Sequence, residues 1–349
     1  MTKKIEPEWL PAAIGSFPLL DVAQSWAWIN DNFSQIPVWP QLPRRSYLEN
    51  MYAQYSEGFP GIVVDQSAER TYVDRRKDLD SSLENLYLAF LQDDPEYGAI
   101  SRDYAAGLHA LLDDPRILRS EPVALKGQVT GPISWGLMVV DESRRPLLYD
   151  ETLADAIAKH LRLKASWQER KLKALAPQTI MFVDEPYMSS FGSAFISLSR
   201  EQALTLLEEV FAGIEGIKGV HCCGNTDWSV LLETSVDILN FDAYEYAESV
   251  SLYPEALASF LERGGIIAWG IVPSSPLVEG ETVDTLVDRL HTAMDLLVQK
   301  GISFDRLITS GLVTPSCGTG SLDSPTAERV LELTAQVSRE MRRRYLPGS

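Results

Sequence analysis

Val220-His221-Cys222-Cys223-Gly224-Asn225-Thr226 follows an apolar run, Gly216-Ile217-Lys218-Gly219-Val220, and precedes a polar turn and a helix-like segment over 227–232. This reads as a strand ending in a loop. In an extended chain, residues i and i+2 point to the same side. The His221 imidazole and the Cys223 sulfur therefore converge, which is half of a tetrahedral zinc site. Cys317, in Val313-Thr314-Pro315-Ser316-Cys317-Gly318, closes a second apolar run, Leu307-Ile308-Thr309-Ser310-Gly311-Leu312-Val313. One buried Cys or His alone is ordinary core material. A His-x-Cys pair in a Gly-Asn-Thr context, with a third sulfur at another strand end, points to metal binding. Cys222 faces the other way and reads as core.

Outward from this stretch, eight apolar runs alternate with helical patterns. The first is Pro11-Ala12-Ala13-Ile14-Gly15-Ser16, the second Gly61-Ile62-Val63-Val64-Asp65, the third Val123-Ala124-Leu125-Lys126-Gly127-Gln128-Val129. Then come Thr179-Ile180-Met181-Phe182-Val183-Asp184, the run into His221, Val236-Asp237-Ile238-Leu239-Asn240-Phe241, Ile266-Ile267-Ala268-Trp269-Gly270-Ile271 and the run into Cys317. Helical spacing predicts helices over 150–175, 199–211 with Ser199 as N-cap and Gln202 three residues on, 282–300 and 324–344, and one starting near Pro254. The alternation implies a parallel sheet. Eight runs close a (β/α)8 barrel, and an open doubly wound sheet is the alternative. Ser16, Thr130, Asp184, His221, Asp242 and Cys317 all fall at C-terminal ends of runs, which a barrel gathers around one mouth. We expect one TIM-barrel domain over residues 1–349. The segment 17–59 is too long for a plain connection and is expected to be a lid or insertion after the first strand. Trp26, Trp28 and Trp39 within it read either as a docking face or as packing.

The 349 residues carry 31 Lys+Arg against 49 Asp+Glu, a net charge of −18. That balance argues against nucleic acid and anionic membranes as partners. Three cysteines form no even disulfide framework and fit a reducing compartment. The start, Met-Thr-Lys-Lys-Ile-Glu-Pro, lacks the apolar stretch of a signal peptide, and no run reaches membrane-spanning length. These readings place the chain in the cytoplasm.

The motif His221-Cys222-Cys223-Gly224-Asn225-Thr226, with Asp242 and Cys317-Gly318, resembles the zinc site of the methylcobamide:coenzyme M methyltransferases of the uroporphyrinogen decarboxylase superfamily. Ala13-Ile14-Gly15-Ser16-Phe17-Pro18, Val129-Thr130-Gly131-Pro132 and Val183-Asp184-Glu185-Pro186 are similar to the catalytic half of cobalamin-independent methionine synthase. The matches run from Ile14 to Gly318. The resemblance implies a (β/α)8 barrel with a zinc ion held by His221, Cys223 and Cys317. Asp242 is implied as a displaceable fourth ligand, with Glu245 as the second choice. It further implies methyl transfer to a zinc-bound thiol. Asp184, with Glu185 beside it, would meet the ammonium of homocysteine, and Gly15 and Ser16 its carboxylate.

One departure bears on the methyl donor. Folate-dependent methionine synthases carry a histidine after the seventh strand, where this chain has Trp269-Gly270-Ile271-Val272-Pro273-Ser274. A departing folate nitrogen needs a proton donor, whereas a departing Co(I) corrinoid does not. A methylcorrinoid, free or on a separate corrinoid protein, is therefore the expected donor. The expected acceptor is a small-molecule thiol, homocysteine ahead of a coenzyme M-type thiol. A uroporphyrinogen decarboxylase-like decarboxylase calls for an Arg-rich N-terminal stretch, of which only Arg44-Arg45 is present. A non-catalytic corrinoid- or metal-binding accessory protein is the remaining alternative.

Overall fold

Parallel neighbours require a crossover between them, and the helices at the predicted positions supply it. The computed structural model describes residues 5–193 and 196–346. Met1–Lys4, with which the reading of the N-terminus begins, lie outside the described residues. Six parallel strands, Leu125–Thr130, Thr179–Asp184, Ile217–Cys222, Ile238–Phe241, Ile266–Val272 and Gly311–Pro315, pair in chain order. The helices between them lie where periodicity places them: Glu151–Lys173, Arg200–Phe211, Pro254–Glu262, Val283–Gln299 and Ser324–Tyr345. Ser199 and Gln202 form the expected reciprocal capping box.

Two extended segments join the edges of this sheet. Pro11 bridges Val313, and the Ala12 N–H donates to Val313 O at 3.0 Å. Ser16 bridges Gln41, and the Gln41 N–H donates to Gly15 O at 2.9 Å. Val38 bridges Lys126, whose N–H donates to Pro37 O at 2.9 Å. The architecture is the expected (β/α)8 barrel, but its second staple is residues 37–41 and not the Gly61–Asp65 run. That run instead forms an antiparallel hairpin, Ile62–Asp65 with Arg70–Val73, in a separate three-stranded sheet. The physical reason lies in composition. Pro37 and Pro40 remove donors from residues 37–41, so the segment reads as a loop, while Ile62-Val63-Val64 has the β-branched character of a strand.

Inside the barrel, Ala124, Ile180, Ile217, Ile238, Ile266 and Leu312 pack as one apolar cluster. Successive inward positions toward the C-terminal ends turn polar: Lys126, Asp184, His221 and Asn240 are all buried. The apolar layer holds the barrel together, and the polar layer above it is where chemistry is placed. Residues 17–59 contribute the Val22–Asn32 helix, the second barrel segment and, at Asn50 and Met51, part of the mouth. Trp26, Trp28 and Trp39 are packed, with Trp26 Nε1 donating to Gly107 O and Trp39 Nε1 to Gln168 Oε1. They form no docking face.

Candidate metal centre

Strand register builds the site. Asp184 aligns with His221, and His221 aligns with Asn240. Aligned residues of parallel neighbours face the same side, here the barrel interior. Cys223 follows its strand by one residue, and Cys317 follows the last strand by two. One ligand atom each from His221, Cys223 and Cys317 falls within 4.8 Å of the others, as the i, i+2 argument requires. Cys222 is fully buried in the apolar core, as expected. Cys317 is held by Ser274: the Cys317 N–H donates to Ser274 Oγ at 3.1 Å, and that hydroxyl donates to Cys317 O at 2.7 Å.

The donor set fits zinc. His221 Nε2 is buried and has no hydrogen-bonded partner, a costly arrangement unless something takes its lone pair. Its Nδ1 is occupied by Asn240 Oδ1 at 2.5 Å. Contact with Cys317, aided by His221, holds the Cys223 thiol down to about 4, and the same contact with burial pushes Cys317 well above the thiol range. Burial would lower His221, but the Cys223 sulfur and Asp184 outweigh it and raise its pKa. Two sulfurs and one imidazole nitrogen make a soft donor set with one tetrahedral position left over.

That position borders a cavity of about 580 Å³ at the barrel mouth, lined by Ser16, Arg44, Asp184, His221, Cys223 and Cys317 among others. Asp184 Oδ1 is buried there with no hydrogen-bonded partner. Burial pushes its carboxyl up, and Lys126 opposes the shift. Lys126 is fully buried, with burial bringing it down to about 8; its Nζ donates to Ile14 O at 2.5 Å and sits 4.4 Å from the centre of the Phe182 ring. Ser16 is brought to the wall by two close approaches. A Cβ on Gly15 would lie 2.8 Å from Gln41 Oε1, and one on Gly318 would lie 2.2 Å from Ser16 Oγ. Both positions require glycine.

The remaining expected residues stand apart. Glu185 is turned away from the cavity: its Oε1 accepts from Ile133 N at 2.9 Å, and its Oε2 from Ser134 N at 2.8 Å and Ser134 Oγ at 2.6 Å. Those groups begin the Pro132–Met138 helix, so the carboxylate caps a helix N-terminus. Asp242 lies outside the His/Cys/Cys cluster and caps its own helix, Oδ1 accepting from Glu245 N at 3.0 Å, with burial pushing its carboxyl up to about 6. Glu245 is exposed. His109, His160 and His291 are engaged with Ile100 O, Tyr55 O and the Tyr345 hydroxyl, and none lines the cavity. Asn240 and Ser274 escaped the sequence reading. The available signal for Asn240 was a single amide inside an otherwise apolar strand. Among the described residues no helix is long and apolar enough to cross a membrane.

No protein-family model and no curated protein matches the chain. Solved structures do. A B12-independent methionine synthase from Shewanella sp. W3-18-1, in complex with selenomethionine, is 19% identical over 66% of this chain and 67% of its own, with a TM-score of 0.45. A methyltransferase from Methanosarcina mazei is 12% identical over 93% of each chain, with a TM-score of 0.55. Across nearly its whole length, this chain shares the fold of the Methanosarcina mazei methyltransferase.

Proposed function

We propose that the chain is a zinc-dependent thiol methyltransferase that moves a methyl group from a methylcorrinoid to homocysteine. The observation that carries this reading is the meeting of His221, Cys223 and Cys317 at the wall of a cavity that also holds the unpartnered Asp184 carboxylate. His221, Cys223 and Cys317 would hold the metal. A bound zinc ion lowers the pKa of a coordinated thiol, supplying a nucleophile near neutral pH. Asp184 orients the acceptor by receiving its ammonium, and Ser16 lies on the same wall to meet its carboxylate. In the reaction the thiol sulfur bonds to the methyl carbon, the carbon–cobalt bond breaks with its electron pair left on cobalt, and the thiol proton passes to solvent. No protonation of the leaving group is required. This suits a cavity in which, among the described residues, His221 carries the only imidazole and Glu49 has both oxygens committed, to Leu42 N and Arg45. Among the described residues the lining includes one guanidinium, Arg44, and no lysine, which suits a poly-carboxylate substrate for decarboxylation poorly.

Metal analysis with a methylcobalamin and homocysteine assay on one preparation tests the proposal. About one zinc per chain with methionine formation supports it. Zinc without turnover moves the reading to another thiol, such as a coenzyme M-type acceptor, or to a dedicated corrinoid protein. Absence of zinc from protein purified and refolded with zinc present overturns it.

Asp184→Asn removes a charge-assisted contact to the ammonium, so the KM for homocysteine should rise about 10- to 100-fold. The rate with 2-mercaptoethanesulfonate, which has no amine, should hold. Equal losses with both thiols would remove Asp184 from amine recognition.

For the fourth ligand, Asp242 spends Oδ1 on the Glu245 cap and stands outside the His/Cys/Cys cluster, so water can take its place. Asp242→Ala should therefore keep about one zinc per chain, with affinity weakened less than about 10-fold, below the usual effect of a lost outer partner. A metal-free Asp242→Ala protein would make the carboxylate a true ligand.

A further inference from the structure

We propose that Asn240 is a positioning residue for the metal centre: its amide locks His221 in the tautomer that presents Nε2 to the cavity. The inference rests on the metal-binding reading above and concerns a residue no motif includes. The argument is one of donors and acceptors. Asn240 Nδ2 lies 2.8 Å from Ala268 O and 2.7 Å from Thr314 Oγ1. A backbone carbonyl can only accept, so the amide nitrogen must be the group facing Ala268. The amide oxygen is thereby turned toward His221 Nδ1, at 2.5 Å. An amide oxygen also only accepts, so Nδ1 must carry the hydrogen, and the lone pair of the neutral ring is left on Nε2. Nε2 is the buried atom without a hydrogen-bonded partner, beside the two sulfurs.

The arrangement is over-determined. Asn240 is fully buried, and the three contacts tie it to the strands that carry His221, Ala268 and Thr314. Rotation of the amide would set its oxygen against the Ala268 carbonyl oxygen and its nitrogen against the Nδ1 hydrogen. The ring is thus held before any metal arrives, with its orientation set by three neighbouring strands. A neutral amide does this without adding a further negative charge to a pocket that already contains Cys223 and Asp184. A carboxylate at 240 would present the same acceptor to Nδ1, but its second oxygen would face the Ala268 carbonyl oxygen, where the amide N–H donates.

The test uses the full chain. In the wild-type protein loaded with zinc, long-range ¹H–¹⁵N correlation of the four histidines should show His221 protonated at Nδ1, and the metal-free protein should keep that Nδ1 hydrogen. Asn240→Leu should lower zinc affinity, read by competition with a chromophoric chelator, by about 10- to 100-fold. Asn240→Asp keeps an acceptor against Nδ1 but sets its second oxygen against Ala268 O, so it should bind zinc more tightly than Asn240→Leu while losing thermal stability. A metal-free His221 that carries no hydrogen on Nδ1 overturns the proposal without recourse to any variant, so a failure of Asn240→Leu to fold would not shield it. Wild-type zinc affinity in Asn240→Leu, accompanied by lower thermal stability, would reduce Asn240 to a link between strands. Equal weakening by Leu and Asp would overturn it as well. Failure of the wild-type protein to bind zinc is a separate outcome, which would end the metal-centre reading itself.

Discussion

Cys223→Ser and Cys317→Ser are each expected to abolish methyl transfer and to weaken zinc binding by more than about 100-fold, beyond the usual effect of an outer partner. A serine hydroxyl does not ionise at neutral pH and is a hard donor where the site offers soft ones. One lost sulfur leaves a two-residue site, His221 with the other cysteine. The fold should persist. Both cysteines are only partly buried at the cavity wall, and the substitution nearly conserves volume. Circular dichroism and thermal melting of the metal-free proteins should therefore match wild type within about 1 kcal/mol. Cys222→Ser is the internal control. Its sulfur belongs to the apolar core, so it should keep its zinc. Stoichiometric zinc in both the Cys223 and Cys317 variants would sink the centre.

Glu185→Ala should do the opposite, leaving the metal site's ligands in place and destabilising the fold by roughly 3–6 kcal/mol, as two buried N–H groups and a hydroxyl lose their acceptor. The carboxylate is fully buried, and Ile133 N, Ser134 N and Ser134 Oγ all donate to it. Ser134 Oγ in turn accepts from Tyr187 N at 3.0 Å, so the loop after the fourth barrel strand is tied to the same cluster. No neighbour can fill the gap: a Cβ on Gly131 would already sit 2.2 Å from the Glu185 carboxylate, so the space is made to the measure of this side chain. Chemical denaturation of wild type and Glu185→Ala, both metal-free, measures the effect. A loss under about 1 kcal/mol, with a raised KM for homocysteine, would return Glu185 to the substrate.

Asp184 and Glu185 illustrate the limit of reading the chain alone. They are adjacent acids at one strand end, so alternation puts them on opposite faces, but the sequence does not say what each face meets. Alternation on the strand sends Asp184 inward to the cavity and Glu185 outward to a helix terminus. One acid is thereby left to line the cavity and the other to cap a helix.

The same limit explains the second barrel segment. Residues 37–41 hold two prolines and make few ladder hydrogen bonds, so local chemistry disguises them as a loop. Only their pairing with Lys126 on one side and with Gly15 and Ser16 on the other shows them completing the ring. Asp242 likewise stands at a strand end, and the folded chain adds a helix cap through its Oδ1 that the sequence did not show.

What the sequence determined by itself was the repeating strand–helix pattern and the His-x-Cys pair. Both are local: apolar periodicity fixes elements, and an i, i+2 spacing on an extended chain fixes two side chains on one side. What only the tertiary structure decided was which groups face one another across the barrel. Cys317 meets His221 and Cys223 because the ring closes, and Asn240 meets His221 because parallel strands set their register. Such contacts join residues on separate strands, and side-chain chemistry along one strand carries no record of its neighbour's register.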